Sequence, residues 1–225
     1  MRTRRLLGAL ALVAILAIPS VSAAYFGSLL STDGGIQGTG NWIVTGPTMF
    51  EWVVTQNMDN SWHYSYVFGH PSGETSHFIL EVSSNFTEND IFNLQGDIGA
   101  GGFELKTHSA GGGANPTMPE DMYGIKFEGT TGEVTSFEFD SWRVPVWKDF
   151  YAVDGTAGGH GPNAAWNTGF TSGDVDPLDA ASDGSLNYHI LAPDSQTPPV
   201  PEPTTLMLLG SGLLGSIAVF RRRRK

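Results

Sequence analysis

The chain contains no cysteine among its 225 residues. Disulfide bonds, thiolate nucleophiles and cysteine-ligated metals are therefore excluded. Helical periodicity is also lacking, because no long stretch between the two termini repeats apolar residues every three to four positions. Glycine, in contrast, is abundant at 29 residues, which indicates a fold with many turns.

Basic residues are scarce in the middle of the chain. Residues 24–200 carry 22 acidic and four basic side chains, so this region has a formal charge of −18. Nucleic-acid binding by this region is excluded, because it needs clustered lysine and arginine to displace phosphate counterions. The other eight basic residues lie near the two ends of the chain, where they flank apolar stretches.

Residues 1–23 have the three parts of a secretory signal peptide. A start with three arginines precedes an apolar run over residues 6–18, and small side chains follow. These small residues predict cleavage by signal peptidase after Ala23, or one step later after Ala24. A retained membrane anchor is the alternative, but 13 apolar residues span only about 20 Å of helix, less than the bilayer core of about 30 Å.

The last 22 residues, 204–225, are predicted to form a transmembrane helix and a basic cytoplasmic tail. Residues 204–220 carry no charge and give a helix of about 25 Å, which is short but workable for a bilayer. The cations that follow predict a stop-transfer signal, because loops retained in the cytoplasm carry excess lysine and arginine. They are Arg221, Arg222, Arg223, Arg224 and Lys225.

A Pro-rich linker, residues 197–203, precedes this helix, and its prolines exclude regular hydrogen-bonded structure. Pro201, Glu202 and Pro203, followed by the apolar helix and the arginine cluster, resemble the PEP-CTERM sorting signal of exported proteins in Gram-negative bacteria. The resemblance implies that an exosortase recognises this motif and that the anchor in the inner membrane is transient. It also implies a mature form at the cell surface or in an extracellular polysaccharide matrix. An ordinary single-span protein with a Pro-rich stalk is the alternative.

Residues 24–196 are predicted to form one all-β domain, an antiparallel β-sandwich or jelly roll. Apolar and polar residues alternate along short segments that turn signals separate, as in such folds. Segments 62–68 and 78–82 predict one hairpin, and segments 125–127 and 137–139 predict a second. The alternating apolar side chains of the first segment are expected in the core, and they are Trp62, Tyr64, Tyr66 and Phe68.

The largest cluster of candidate metal ligands is acidic. It consists of Asp174, Asp176, Asp179 and Asp183, which lie in a segment rich in turn residues. Ca²⁺ binds six to eight oxygens of this kind, so it is the one cofactor that the sequence suggests. The spacing matches neither an EF-hand nor a Gly-Asp repeat, and a solvated acidic loop is the alternative.

No catalytic motif marks the domain, so we predict a non-enzymatic protein with no catalytic residues. Its association with exopolysaccharide is what the resemblance to PEP-CTERM proteins implies. A carbohydrate-binding module is the first alternative, because exposed aromatic rings stack on sugars. Trp147 and Trp166 interrupt the alternating pattern and are the candidate rings. An exported glycosidase is the second alternative, since it needs only two carboxyl groups about 5–10 Å apart across a cleft. Glu81, Glu128 and Glu138 alternate with apolar residues and are expected on the solvent face of strands.

Overall fold

The computed structural model describes residues 23–98, 102–130, 132–154, 162–171 and 175–193. The predicted signal peptide up to residue 22, the Pro-rich linker, and the predicted transmembrane helix with its basic tail lie outside these residues. The part of the chain that is described contains no helix long and apolar enough to cross a membrane.

Short strands joined by turns make up the described residues, together with one α-helix, α1 (Asn41–Val44), and one 3₁₀ turn, Glu88–Asp90. The strands are β1 (Ala24–Leu30), β2 (Ile36–Thr39), β3 (Met49–Gln56), β4 (Trp62–Gly69), β5 (Thr75–Glu81), β6 (Phe92–Gly96), β7 (Phe103–His108), β8 (Met122–Thr130), β9 (Val134–Ser141), β10 (Pro145–Lys148), β11 (Phe150–Val153), β12 (Ala164–Asn167) and β13 (Ile190–Pro193). The predicted all-β class is confirmed.

The strands form two large sheets and one small sheet. The five-stranded sheet has the order β1-β3-β4-β9-β6, and the six-stranded sheet has the order β2-β12-β11-β5-β8-β7. Strands β10 and β13 form a separate pair. All of these ladders are antiparallel.

An aromatic core joins the two large sheets face to face. Phe50 of the five-stranded sheet lies with its ring centroid 5.3 Å from that of Phe78 and 4.5 Å from that of Phe150, both on the six-stranded sheet. Phe127 and Phe137 make a similar contact across the sheets at 4.3 Å. The predicted core residues of β4 are all buried between these sheets. The arrangement is therefore a β-sandwich.

Neither predicted hairpin forms. Strand β4 pairs with β3 and β9 in one sheet, whereas β5 pairs with β8 and β11 in the other. Strands β8 and β9 likewise lie in different sheets. Alternation tells which side chains are buried but not which strand is the neighbour, and a loop of a few residues suffices to cross the spacing of about 10 Å between packed sheets.

Side-chain contacts stabilise the loop in which the chain passes from β4 in one sheet to β5 in the other. The His70 ring stacks on Trp42 with centroids 4.2 Å apart, and its Nε2 lies 3.0 Å from Thr75 Oγ1. The Trp42 indole N–H donates to the carbonyl of Ser72 at 2.8 Å. These contacts satisfy buried polar groups at the bend, so the chain turns from one sheet to the other instead of folding back on β4.

We expect Phe50→Ala to lower the free energy of unfolding by about 3–5 kcal/mol, because it leaves a cavity where the two sheets meet. Val53→Ala on the same strand is the control, since Val53 is 47% exposed on the opposite face and should cost less than about 1 kcal/mol. Urea unfolding of both variants measures the difference. Equal losses would contradict a core centred on Phe50.

Candidate functional site

The predicted signal-peptide cleavage site lies at the N-terminal edge of the described residues. Ala24 is the first residue of β1, and the carbonyl of Ala23 accepts a hydrogen bond from the Gln56 N–H at 2.8 Å. Strand β1 therefore begins at the predicted signal-peptide cleavage site. The sorting motif and the stop-transfer residues, Pro201, Glu202, Pro203, Arg221, Arg222, Arg223, Arg224 and Lys225, lie outside the described residues.

A polar cluster lies where β5, β10 and β12 end and β11 and β13 begin. Glu81 closes β5 and Lys148 closes β10. The ammonium of Lys148 contacts Asp176 Oδ2 and lies 3.5 Å from Glu81 Oε1. One cation thus serves two carboxyl groups from distant parts of the chain.

Asp149 forms the deeper part of this polar cluster and is 4% exposed. Its backbone N–H donates to Glu81 Oε2 at 3.1 Å, and its Oδ1 accepts a hydrogen bond from the Asn167 amide. His189, 2% exposed, places its Nε2 3.6 Å from the same Oδ1. Asn167 also accepts the Phe150 N–H at 2.9 Å, so the network fixes the start of β11.

Burial raises the pKa of Glu81 to about 8, although the nearby Lys148 ammonium acts in the opposite direction. The carboxylates of Asp176 and Asp149 raise this pKa further. Burial therefore favours the protonated form of Glu81, whose side chain is only 22% exposed and so less open to water than a residue on a solvent face was expected to be. Glu128 and Glu138 are more exposed, with 40% and 42% of their side-chain surfaces accessible.

The predicted calcium ligands do not converge in the described part of the chain. Asp176 contacts Lys148, Asp179 is exposed, and Asp183 Oδ1 accepts the Phe26 N–H at 3.2 Å at the edge of β1. Asp174 lies outside the described residues. The spacing in sequence could not show that Asp176 pairs with Lys148 or that Asp183 accepts a backbone N–H from β1.

A different trio, Asp149, Asp176 and His189, has potential ligand atoms within 4.8 Å of one another. A cation here would compete with the Lys148 ammonium for Asp176 and with the Asn167 amide for Asp149. The polar cluster thus already contains its own positive charge and its own hydrogen-bond donors. It is a buried network rather than an open coordination site.

A general acid for glycoside hydrolysis would share one property with Glu81, the raised pKa. It would also need a substrate between itself and a second carboxyl group. Asp149 is almost fully buried and holds Glu81 through its own backbone N–H, which leaves no room for a sugar between the two. The polar cluster therefore meets only the electrostatic requirement for this chemistry.

The two candidate tryptophans are not exposed rings on a common surface. Trp147 is 1% exposed and packs in the core, because β10 alternates and turns positions 145 and 147 inward. The prediction of an exposed ring at Trp147 is wrong. Trp166 is half-buried on the outer face of the six-stranded sheet, where it pairs with Tyr151 and packs against a second apolar cluster.

Two exposed aromatic rings of the described residues, Phe26 and Tyr188, line cavities beside β1. Two cavities of about 420 and 360 Å³ share Ser28 as a lining residue, and we call them together the β1 groove. Tyr188, Asn187 and Asp33 line the first cavity, and Phe26 lines the second. Tyr188 is 46% exposed and Phe26 is 62% exposed. The β1 groove therefore combines accessible rings with a carboxylate and an amide.

Backbone geometry marks the Tyr188 end of the β1 groove. Asn187 and Tyr188 have φ values of 49° and 64°, in the left-handed region that a bulky residue such as tyrosine rarely adopts. Such residues cost about 1–3 kcal/mol each and cluster at ligand sites. A hydrogen bond from the Ser185 hydroxyl to the His189 carbonyl, 2.6 Å long, closes the turn around them. Sequence analysis missed Tyr188 as a candidate residue, because a tyrosine gives no sign of a left-handed turn.

The residues beyond β13 carry the likeness to known proteins. Residues 199–224 match the PEP-CTERM protein-sorting motif. The chain carries a PEP-CTERM sorting signal. The matched stretch includes Pro201, Glu202, Pro203 and the arginine cluster, so the resemblance seen in the sequence is confirmed. The signal indicates export, C-terminal anchoring and sorting by an exosortase in Gram-negative bacteria. No curated protein and no solved structure matches the chain.

We expect Ca²⁺ to leave the thermal stability unchanged, with a shift in Tm below about 1 °C between calcium and EDTA. A site saturated at about 100 times its Kd would instead stabilise the fold by about 2.7 kcal/mol, several degrees for a domain of this size. Differential scanning calorimetry makes the comparison. A calcium-dependent rise in Tm that Asp176→Asn abolishes would overturn the description of the polar cluster as a closed network.

Proposed function

We propose that this is a non-enzymatic exported protein that acts at the cell surface or in the extracellular matrix, in contact with exopolysaccharide. The observation that carries the proposal is the PEP-CTERM signal over residues 199–224, which follows the last strand of a folded β-sandwich by a few residues. The sandwich is then the exported domain, and the C-terminal segment is its sorting signal. Signal peptidase, the inner membrane and an exosortase are its partners during processing.

Removal of the motif tests the sorting step. We expect deletion of Pro201, Glu202 and Pro203 to retain the full-length C-terminus in the membrane fraction, because the exosortase loses its recognition motif. Pro198→Ala is the control, since residue 198 precedes the matched stretch. Intact-mass analysis of membrane and extracellular fractions from an exosortase-containing host provides the measurement. Equal processing of the deletion variant and the control would contradict the proposal.

The β1 groove supports contact with a polysaccharide. Sugar rings present apolar faces that stack on aromatic side chains and hydroxyls that donate to carboxylates and amides. Tyr188 and Phe26 offer such faces, and Asp33 and Asn187 offer the polar partners. The charge of −18 over residues 24–200 repels acidic polymers, so the ligand that fits is an uncharged polysaccharide.

A carbohydrate-binding module, in which sugar binding is the main role, is the second candidate that this geometry favours. Substitution of Tyr188 by alanine should weaken binding to the host's uncharged exopolysaccharide by about two- to tenfold, since a stacked ring contributes about 0.5–1.5 kcal/mol and about 1.4 kcal/mol is a factor of ten. Affinity electrophoresis in gels that contain the polymer measures the change.

Trp142→Ala is the matched control for this substitution. Trp142 is 49% exposed and packs its ring 5.6 Å from that of Phe92, and it is not among the residues that line the β1 groove. Its removal should leave binding unchanged. If both variants retain full affinity, or lose it equally, the β1 groove is not the sugar-binding surface.

A further inference from the structure

The ionic group formed by Lys148, Asp176 and Glu81 differs from an ordinary surface ion pair in its shielding from water. Lys148 contacts Asp176 directly and has Glu81 Oε1 at 3.5 Å. Only 13%, 25% and 22% of these three side-chain surfaces are exposed. An amine, a carboxyl group to attack and a second carboxyl group able to move protons are therefore held together and partly shielded from water.

The other lysine contacts of the described residues are different. Lys106 contacts Glu104 at 2.7 Å, but both side chains are about half exposed. Lys126 contacts Glu128 at 2.6 Å, and the glutamate is 40% exposed. Arg143 and Asp90 are as shielded as the Lys148 group, yet a guanidinium does not lose its proton and is not a nucleophile. Proximity and shielding coincide at Lys148 with an ammonium that becomes a nucleophilic amine once it loses a proton.

We propose that Lys148 and Asp176 become joined by an amide bond, an intramolecular cross-link, and that Glu81 transfers the protons for this step. The atom balance is simple. Nζ of Lys148 forms a bond to Cγ of Asp176, the bond from Cγ to one carboxyl oxygen breaks, and that oxygen leaves as water. An ammonium and a carboxylate become a neutral amide and one water molecule, so no oxidant, reductant or cofactor is needed.

Glu81 has the geometry and the acidity for its part. Its carboxyl group lies beside Nζ, and burial raises its pKa to about 8, which favours the protonated form. Nζ must lose two protons and the leaving oxygen of Asp176 must gain two, so Glu81 relays them one at a time. It gives its proton to the leaving oxygen, takes one from Nζ, repeats this exchange after Nζ has bonded to Cγ, and ends the step protonated as it began. Asp149 does not compete for this role, because its carboxylate is engaged with Asn167 and His189.

The reaction also fits its surroundings. Forming the amide removes two charges from a partly buried site, where charges are costly. The bond links the end of β10 to the segment before β13 and closes a loop that contains β11 and β12. A chain without cysteine has no disulfide to constrain its unfolded state, and an amide supplies the same constraint.

Intact mass under denaturing conditions tests the cross-link on the chain as recovered from its host, compared with the mass calculated for its determined termini. We expect a deficit of about 18 Da, one water. We also expect trypsin to leave the bond after Lys148 uncut, because an acylated lysine is not a trypsin site. Glu81→Gln should restore the full mass, since glutamine cannot transfer the protons.

Two further variants identify the chemistry. Lys148→Arg keeps a cation beside Asp176 but cannot form the amide, so the full mass should return and Tm should fall by about 10 °C, the effect of opening a loop of this length. Asp176→Asn should lose about 17 Da if it reacts, because ammonia leaves instead of water. Lys126→Ala should keep the 18 Da deficit, because its amine takes no part.

Circular dichroism identifies variants that do not fold. The mass of the wild-type chain tests the cross-link even if every variant fails to fold. A folded wild-type chain of full mass, cleaved normally after Lys148, would overturn the proposal. A deficit that persists in Lys148→Arg would also overturn it, because dehydration elsewhere, for example at Asp33-Gly34, would then be the source. Neither result bears on sorting or on polysaccharide binding, which the proposal does not require.

Discussion

Burial of aromatic rings between the two large sheets is the interaction on which the rest of the structure depends. The chain has no disulfide, and its strongly acidic body repels itself, so attraction must come from apolar contact. Phe50, Phe78 and Phe150 supply it where the sheets face each other. Each large sheet contributes rings to this layer. The chain crosses from one sheet to the other because each sheet must bury its inner face against its partner.

The polar cluster and the β1 groove lie at the edges of this aromatic core. Strands that end at the core boundary bring Glu81 and Lys148 together, and the segment before β13 adds Asp176. The β1 groove lies at the edge of the five-stranded sheet, where the turn around Tyr188 packs beside the first strand. A single apolar layer thus positions a shielded ionic group and an exposed aromatic surface without sharing residues between them.

Some of this architecture could be predicted from sequence, and the limits have physical reasons. Alternation correctly placed the β4 side chains in the core, because the period of a strand decides which side chains share a face. It did not identify the partner strands, since both predicted hairpins cross between sheets. Trp147 also alternates with its neighbours, but β10 turns positions 145 and 147 inward, whereas the expected pattern left Trp147 outside the core.

For the sites, too, local sequence features could be predicted, whereas contacts between distant residues could not. The sorting signal is linear, so Pro201, Glu202 and Pro203 could be read directly from the sequence. The polar cluster joins residues 81, 148 and 176, whose proximity depends on the folded topology, and no spacing rule connects them. Tyr188 was missed because a left-handed backbone in a turn is not visible in residue type for a tyrosine.

The central claim is that a folded β-sandwich is exported from the cell and that its two terminal segments, the signal peptide and the sorting signal, are removed. Determination of both termini of the wild-type protein recovered from outside the cell tests it most directly. The account predicts an N-terminus at Ala24 or Tyr25, where β1 begins, and a C-terminus before the apolar segment that starts at Thr204. A protein found in the cytosol with residues 1–23 still attached would contradict it.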